Sequence, residues 1–345
     1  MHIPLKLAVA VGGALLVAHS PVVHAATSAV VGYVTLNIDA ATESSPKIST
    51  ISLPLYAPIT GNGAVTGRFT SVGASSLTNS SAGWTAGAFS QSSQPHLVKI
   101  TSGPATGRIF RITENNATSL TVDNQGTSLN TLGIGVGSNG DTYEIFPADT
   151  IRTVFGSPAD GVVGGTNADV ADQVQILNAA GEWEVFYFNT PTGAWVAATN
   201  SANSDNRVIR PDEGIVYLRR GTTPLKIVLT GRVPDTTSRI VVRNSGASAI
   251  GSTWPVDTTL ATSGIREISG WVSGPIATAD QVQIYSPTKG WRSFYHDGTN
   301  WMRVGPAIIS NDEPIPAGTA VVLARRGSSS DTTILTQNQP YNLND

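Results

Sequence analysis

The sequence predicts an all-β protein: two tandem antiparallel β-sandwich or barrel-like units, with a β module inserted in the first. Three observations predict it. The C-terminal half repeats itself, because Ala171-Asp172-Gln173-Val174-Gln175-Ile176 returns as Ala279-Asp280-Gln281-Val282-Gln283-Ile284. A repeat of this length marks a duplicated folding unit. Charged residues make up only 13% of the chain, about half the usual share of roughly 25%. Polarity comes instead from Ser, Thr, Asn, Gln and 35 glycines, a mix that suits short strands joined by tight turns. Finally, apolar residues recur with a period of two over short runs, the mark of strands with one buried face.

In chain order, a leader comes first. Lys6 (with His2) supplies a short basic region, and Leu7 to Ala18 an apolar core of signal-peptide length. Val23-His24-Ala25 places small or branched residues before a cleavage point, so residues 1–25 read as a signal peptide and the chain as exported. His19-Ser20-Pro21 interrupts this stretch too early for a membrane span, and no other apolar run approaches ~18 residues. The mature chain is therefore expected to carry no integral membrane segment. It has no cysteine, which excludes disulfides, thiol nucleophiles and thiolate metal sites.

Val30 to Ile38 is β-branched and reads as a strand, and Ile51-Ser52-Leu53-Pro54-Leu55 alternates and reads as a second. A Ser/Thr/Gly-rich segment follows, about residues 67–146, with strands at Leu97–Ile100, Arg108–Ile112, Ser119–Val122 and Asp141–Phe146. Each repeat copy then begins with its Asp-Gln-Val-Gln-Ile strand. An aromatic strand follows (Trp183 to Phe188, Trp291 to His296), then a strand starting at Trp195 or Trp301. Gly214 to Leu218 matches Gly318 to Leu323, Leu218-Arg219-Arg220-Gly221 matches Leu323-Ala324-Arg325-Arg326-Gly327, and Ile227 to Thr230 matches Thr333 to Thr336.

The repeat reaches upstream: Pro147, Asp149 and Gly156 match Pro255, Asp257 and Gly264. Gly231-Arg232-Val233 resembles Gly32-Tyr33-Val34, and Arg239 to Val242 resembles the strand at Ile51. Yet 15 positions separate Ile240 from Pro255 and 96 separate Ile51 from Pro147. The excess of roughly 80 residues is the inserted module, placed in a loop where insertions are tolerated. The expected organisation is a first β unit over 26–230 and a second over 231–345.

The Val30-Val31-Gly32-Tyr33-Val34 start, the paired Asp-Gln-Val-Gln-Ile and Trp/Phe-Tyr strands, and the Arg-Arg-Gly runs resemble a family of uncharacterised exported β-rich proteins multiplied in Verrucomicrobia. The resemblance covers most of the mature chain; it implies secretion and assigns no activity. Ile250-Gly251-Ser252-Thr253-Trp254-Pro255 looks like a motif of bacterial surface β modules, with Ser252-Thr253 where that motif has Asn-Pro. The inserted segment, through Leu77 to Ser81, Trp84, Ile100 to Gly103 and Gly140 to Ile145, resembles a β segment of phage tail and bacterial surface proteins.

Reactive constellations are sparse. After the leader only His96 and His296 remain, and His296 aligns with Phe188, so a structural or surface role is expected for it. No Gly-x-Ser-x-Gly elbow exists, and a Ser-His-Asp set needs a placed histidine. Gly135-Val136-Gly137-Ser138-Asn139-Gly140 fits the spacing of a dinucleotide loop, but a strand follows where a helix is needed. The repeated acids Asp149, Asp172, Asp257 and Asp280 read as turn caps. Arg219-Arg220 and Arg325-Arg326 read as salt-bridged or solvated edges, with one arginine of each pair pointing outward.

The net charge of -3, with both signs interspersed, gives no basic patch for nucleic acid. Neither metal nor cofactor is expected. The aromatics are the ligand-binding candidates: Trp183, Tyr187, Trp195, Trp291, Tyr295 and Trp301. Exposed, they stack on sugar rings; buried, they are core. The expectation is an exported, non-catalytic surface, structural or adhesion protein, with cell-surface polysaccharide or other surface proteins as partners. The alternative is a carbohydrate-binding module protein, or a glycan-active enzyme using acids.

Overall fold

The computed structural model describes residues 30–43, 45–59 and 65–343; the expected signal peptide, residues 1–25, lies outside them. Strand makes up 42% of the molecule and helix 5%, and the sheets are antiparallel with no closed barrel. The chain is therefore all-β, in sandwich-like units. Among the described residues, no helix is long and apolar enough to cross a membrane.

β1 (Val31–Ile38) and β2 (Lys47–Ile51) come first. Seven strands follow: β3 (Val65–Arg68), β4 (Ser71–Val72), β5 (Ser76–Thr78), β6 (His96–Ile100), β7 (Ile109–Asn115), β8 (Ser119–Val122) and β9 (Thr142–Pro147). After β10 (Asp149–Thr150) and the one-turn helix α1 (Ile151–Phe155) come β11 (Gln173–Leu177), β12 (Trp183–Asn189) and β13 (Ala194–Ala197). Then follow β14 (Val208–Ile209), β15 (Ile215–Arg219) and β16 (Leu225–Arg232). The last part holds β17 (Ser238–Arg243), β18 (Ser245–Gly251), β19 (Thr258–Thr259), β20 (Gln281–Ser286) and β21 (Gly290–His296). It ends with β22 (Trp301–Arg303), β23 (Pro314–Ile315), β24 (Ala320–Arg326) and β25 (Thr332–Gln337).

The duplication is visible in the sheets. One five-stranded sheet has the order β13-β12-β11-β15-β2, and the other β18-β24-β20-β21-β22, the same arrangement read from the opposite end. Each packs its apolar face on a two-stranded ribbon, β1–β16 or β17–β25. In the first, Val174, Ile176, Phe186 and Phe188 meet Leu36, Ile38, Leu225 and Ile227. In the second, Val282, Ile284 and Phe294 meet Ile240, Val242 and Leu335. The period of two in each strand creates these faces.

Two upstream matches need correction. β17 pairs with β25 as β1 pairs with β16, so Arg239 to Val242 is the counterpart of β1, not of the strand at Ile51. The counterpart of β2 is β18: Ile51 lies opposite Ile215, and Ile250 opposite Val321. β18 reads Ser-Gly-Ala-Ser-Ala-Ile-Gly, with one large apolar residue, which hides its strand signal. Gly231-Arg232 closes β16 and starts no new unit. The strand expected at Ile51–Leu55 ends at Ile51, because Ser52 N leaves the sheet to donate to Gly318 O at 2.8 Å.

That bond has a mate. Gly251 N donates to Asp212 O at 3.0 Å, and the sheet registers make Gly251 the counterpart of Ser52 and Asp212 the counterpart of Gly318, which corrects the match of Gly214 to Gly318. The reciprocity is general. β2 touches β20 and β24, while β18 touches β11 and β15. Lys47 Nζ reaches Pro287 O in the β20–β21 turn at 3.1 Å, and an Arg243 amine reaches Ala179 O in the β11–β12 turn. The two sandwiches thus pack about an approximate two-fold axis, the isologous pattern of a symmetric dimer. Both outer strands, β2 and β18, are covered by this packing, so neither presents a free edge.

The seven-stranded sheet, β3-β9-β6-β7-β8-β5-β4, breaks the symmetry. It has its own core, including Phe69, Val98, Phe110, Leu120 and Tyr143, and lies between β2 and β10 in the chain. Leu97, Ile109 and Phe146 join it to Tyr56 and Val208 of the first sandwich. An ion pair, Arg232–Glu144, fixes the same junction. Lys99, buried, donates to Asp235 at 2.9 Å and so ties the inserted sheet to the segment entering the second sandwich. Gly107 (φ +87°) approaches that segment so closely that a Cβ would sit 1.9 Å from Thr237 O; only glycine fits.

Candidate functional site

The repeated acids and arginines form the strongest polar arrangement in each sandwich. Asp172 lies just before β11 and is fully buried. Its carboxylate accepts from the Arg219 guanidinium, from Val163 N at 3.0 Å, from Arg220 N at 2.6 Å and from the Tyr217 hydroxyl at 2.8 Å. Asp280 is fully buried too and accepts from Arg325 Nε at 3.2 Å, Val272 N at 2.9 Å and Arg326 N at 2.7 Å. One arginine of each pair does point outward, but Arg219 and Arg325 are buried ion-pair partners, not edge charges. Burial and the adjacent Asp172 charge push the Tyr217 hydroxyl far up, so it stays a neutral donor. These centres pin β11 to the end of β15, and β20 to the end of β24. Saturated with protein partners, they have no capacity for a ligand.

The acids upstream differ from each other. Asp257 Oδ1 accepts from Ala317 N at 2.8 Å, as a turn cap does. Asp149 makes no side-chain hydrogen bond among the described residues and lines a cleft of about 200 Å³ with Leu53, Leu55, Val154, Val228 and Leu229. Burial alone pushes its carboxyl up to about 6. The folded pKa lies above the unfolded one, so this group stabilises the fold below the unfolded value. That contribution is lost as pH rises through about 6. Urea denaturation should show a fall of at most about 3 kcal/mol between pH 4.5 and 7.5 from this group. Asp149→Asn should abolish that part of the slope; an unchanged slope would refute the assignment.

The six aromatic candidates separate into classes. Trp195 and Trp301 are buried in the two cores, and Tyr187 is buried against Ala171 and Val196. Trp195 Nε1 donates to Gly156 O at 2.8 Å, and its ring meets Phe188 edge-on. Trp301 meets His296 and Trp271 in the same way. As ligand-stacking residues, Trp195, Trp301 and Tyr187 are therefore corrected to core: a ring with no free face cannot take a sugar. Tyr295 is half-buried. Trp183 and Trp291, each 42% exposed, stand at equivalent positions opposite Leu177 and Tyr285. Tyr285 and Trp291 pack edge to face at 5.4 Å. No ring contact joins Trp183 to Trp291 among the described residues.

His296 is buried and its Nδ1 accepts from Gly298 N at 3.1 Å, a structural position. The Gly135–Gly140 stretch is a loop leading into β9, so no helix offers amides to a phosphate.

One concavity lies where three bodies meet. A cavity of about 320 Å³ is walled by the inserted sheet through Arg111, Asp123 and Gln125, by the first sandwich through Glu184, Arg207 and Glu213, and by the second through Val241, Arg243 and Ser248. Beside it, between the inserted sheet and the first sandwich, runs an open groove of about 630 Å³. The two share Arg111, Glu184 and Arg207. The groove presents Ser90, Gln91, Ser92, Thr113, Asn203 and Asn206, hydroxyl and amide side chains that both donate and accept. Trp183 adjoins the cleft in sequence and register, next to Glu184 and opposite Leu177.

An ion network stiffens the cavity wall. Arg207 reaches Glu213 at 3.2 Å and Glu184 at 3.3 Å, and Arg210 reaches Asp212 at 3.1 Å. Burial opposes ionisation of Glu213, but Arg210 and Arg207 outweigh it and hold the carboxyl below its ordinary range. At the equivalent place in the second sandwich the pair is Arg292–Glu313, with the charges exchanged. Sequence reasoning overlooked these arginines because they are scattered from Arg108 to Arg243 and form no short motif. The one local signal is the spacing Arg239, Val241, Arg243, which puts three side chains on one face of β17.

Fold and cleft together define a duplicated β-sandwich protein with a ligand-sized cleft between its bodies. The chain matches no protein-family model and no curated protein.

Proposed function

We propose that the protein is exported and acts at the cell surface by binding, as a non-catalytic adhesion or structural component that holds polysaccharide. The observation that carries this reading is the open groove between the inserted sheet and the first sandwich. Its hydroxyl and amide side chains suit the hydrogen-bonding edges of sugar rings. Its polar side chains stand mostly on loops held by the inserted sheet and the first sandwich, as recognition sites on scaffolds are. Trp183, exposed on the opposite face of β12 from Glu184, offers a separate apolar face of the kind sugar rings stack on.

Two measurements test the reading. Cell fractionation should find the protein in the envelope or the medium, with its N-terminus beginning at Ala26 after cleavage past Ala25. A purely cytoplasmic, unprocessed protein would sink it. Purified protein should be retained on polysaccharide matrices, and Trp183→Ala should weaken retention while leaving the unfolding midpoint unchanged. Absence of retention on any matrix would remove polysaccharide as the partner.

A further inference from the structure

The lining of the cavity at the three-body junction carries four arginines, Arg111, Arg207, Arg210 and Arg243, and four acids, Asp123, Glu184, Asp212 and Glu213, and two further arginines, Arg108 and Arg239, lie behind its wall. Arg207 and Arg210 are committed to Glu184, Asp212 and Glu213. Asp123 Oδ1 accepts from Gln125 N at 3.0 Å, so it is held in a turn. Arg108, Arg111, Arg239 and Arg243 remain, and none has a carboxylate within ion-pair distance among the described residues. Arg243 is satisfied by main-chain oxygens of Ser245 and Ala179.

Arg108 is the anomaly. Its side chain is 2% exposed, it lies over the Phe110 ring, and its one hydrogen bond is to Gln125 Oε1 at 3.2 Å. Its Nε has no acceptor, nor has Arg239 Nε nor the buried Gln125 Nε2. Gln125 lines the cavity and is held with φ at 56°, a left-handed backbone that is costly for a residue with a side chain. Burial, with Arg210 and Arg239 nearby, drives the Arg108 guanidinium down to about 10 despite the opposing charge of Asp212. Buried cations are ordinarily paired, and three buried donors without acceptors at one junction are unusual.

We propose that this cavity is an anion site that takes the acidic group of a charged saccharide, a uronate carboxylate or a sulfate ester, with neighbouring sugar units lying in the open groove. This rests on the polysaccharide reading above and narrows it to acidic chains. Gln125 Nε2 and the Arg111 guanidinium line the cavity and supply the donors, while Arg108, bonded to Gln125, and Arg239 stand behind them and add positive charge. Arg111 and Arg207 border both cavity and groove, so a chain passing between them meets charge at one end and neutral hydrogen-bonding groups at the other. Guanidinium forks match the planar carboxylate and the sulfate oxygens.

The test uses the full mature chain and calorimetric titration with alginate oligomers, sulfated dextran, neutral dextran and sodium sulfate. Acidic oligomers should bind, neutral dextran at least tenfold more weakly, and rising salt should reduce the affinity. Alginate against sulfated dextran separates the two acidic groups. Sulfate alone binding as tightly as the oligomers would overturn the saccharide assignment. Arg111→Gln should reduce affinity for the acidic oligomer at least tenfold. Arg108→Met should do the same while leaving the unliganded unfolding midpoint unchanged or higher, because it removes an uncompensated buried charge. A purely structural Arg108 would instead lower that midpoint. Equal affinity for neutral and acidic chains, or acidic binding untouched by either substitution, would overturn the anion site and leave the surface-binding reading standing.

Discussion

Asp172→Asn is expected to destabilise the fold by about 3–5 kcal/mol, the cost of breaking a buried ion pair from one side. Asparagine keeps the shape but removes the charge that compensates Arg219, a side chain 2% exposed. It also puts an amide N–H₂ where four donors converge. Asp280→Asn should have a smaller effect within that range, because Leu323 stands opposite Val282 where Tyr217 stands opposite Val174, so one hydroxyl donor is missing. Arg219→Met with Asp172→Asn should cost less than the sum of the single changes, since the orphaned charge is gone. Urea unfolding followed by circular dichroism reads these values. Asp169→Asn, on the exposed approach to the same strand, should stay within about 0.5 kcal/mol. A similarly small effect for Asp172→Asn would show that the pair does not organise the sandwich.

Trp195→Ala carries the second large effect, about 3–5 kcal/mol. The ring is fully buried among Phe155, Phe188 and its own strand, and its loss strands the Gly156 carbonyl that accepts from Nε1. Trp301→Ala should behave alike, since the two tryptophans hold the same place: Asp205 caps Trp195 N at 2.9 Å and Asn311 caps Trp301 N at 2.8 Å. Trp183→Ala and Trp291→Ala should each change stability by about 0.5 kcal/mol or less. Circular dichroism is the suitable probe, because the substitutions remove fluorophores. Equal losses at all four positions would erase the division between core and exposed tryptophans on which the polysaccharide reading partly rests.

The outcome for the aromatics shows where sequence reasoning reaches and where it stops. Period two puts Phe186 and Phe188 on one face of β12 and Trp183 and Tyr187 on the other. It could not say that Val196 and Ala171 would cover Tyr187 while Trp183 stayed open, because cover on the outer face comes from neighbouring strands and loops. Trp195 and Trp301 begin strands after a turn, and a tryptophan there reads alike as anchor or as binding platform until its neighbours are known.

The buried aspartate–arginine pairs were closer to legible. In a chain poor in charge, Asp172 and Arg219 are both kept in the other copy, and a charged residue held twice is a candidate partner for another held twice. The cavity was not legible. Its walls come from three separated stretches, and the donors at Arg108, Gln125 and Arg239 meet only once the inserted sheet is seated. β18 escaped for a simpler reason: six small residues and a single isoleucine carry no alternation to read.

The reciprocal bonds Ser52–Gly318 and Gly251–Asp212 make this chain a covalently fused equivalent of a homodimer. A true homodimer comes apart on dilution, and its two halves share one gene, so any residue altered on one side is altered on the other. Here the partners are held at a fixed local concentration by their own backbone, and the association no longer depends on how much protein is present. Each half is also free to drift alone. The exchanged charges of Glu184–Arg207 and Arg292–Glu313 are one record of that freedom. The inserted sheet is a larger one: it walls the groove on one side of the axis only, so the two halves present different surfaces.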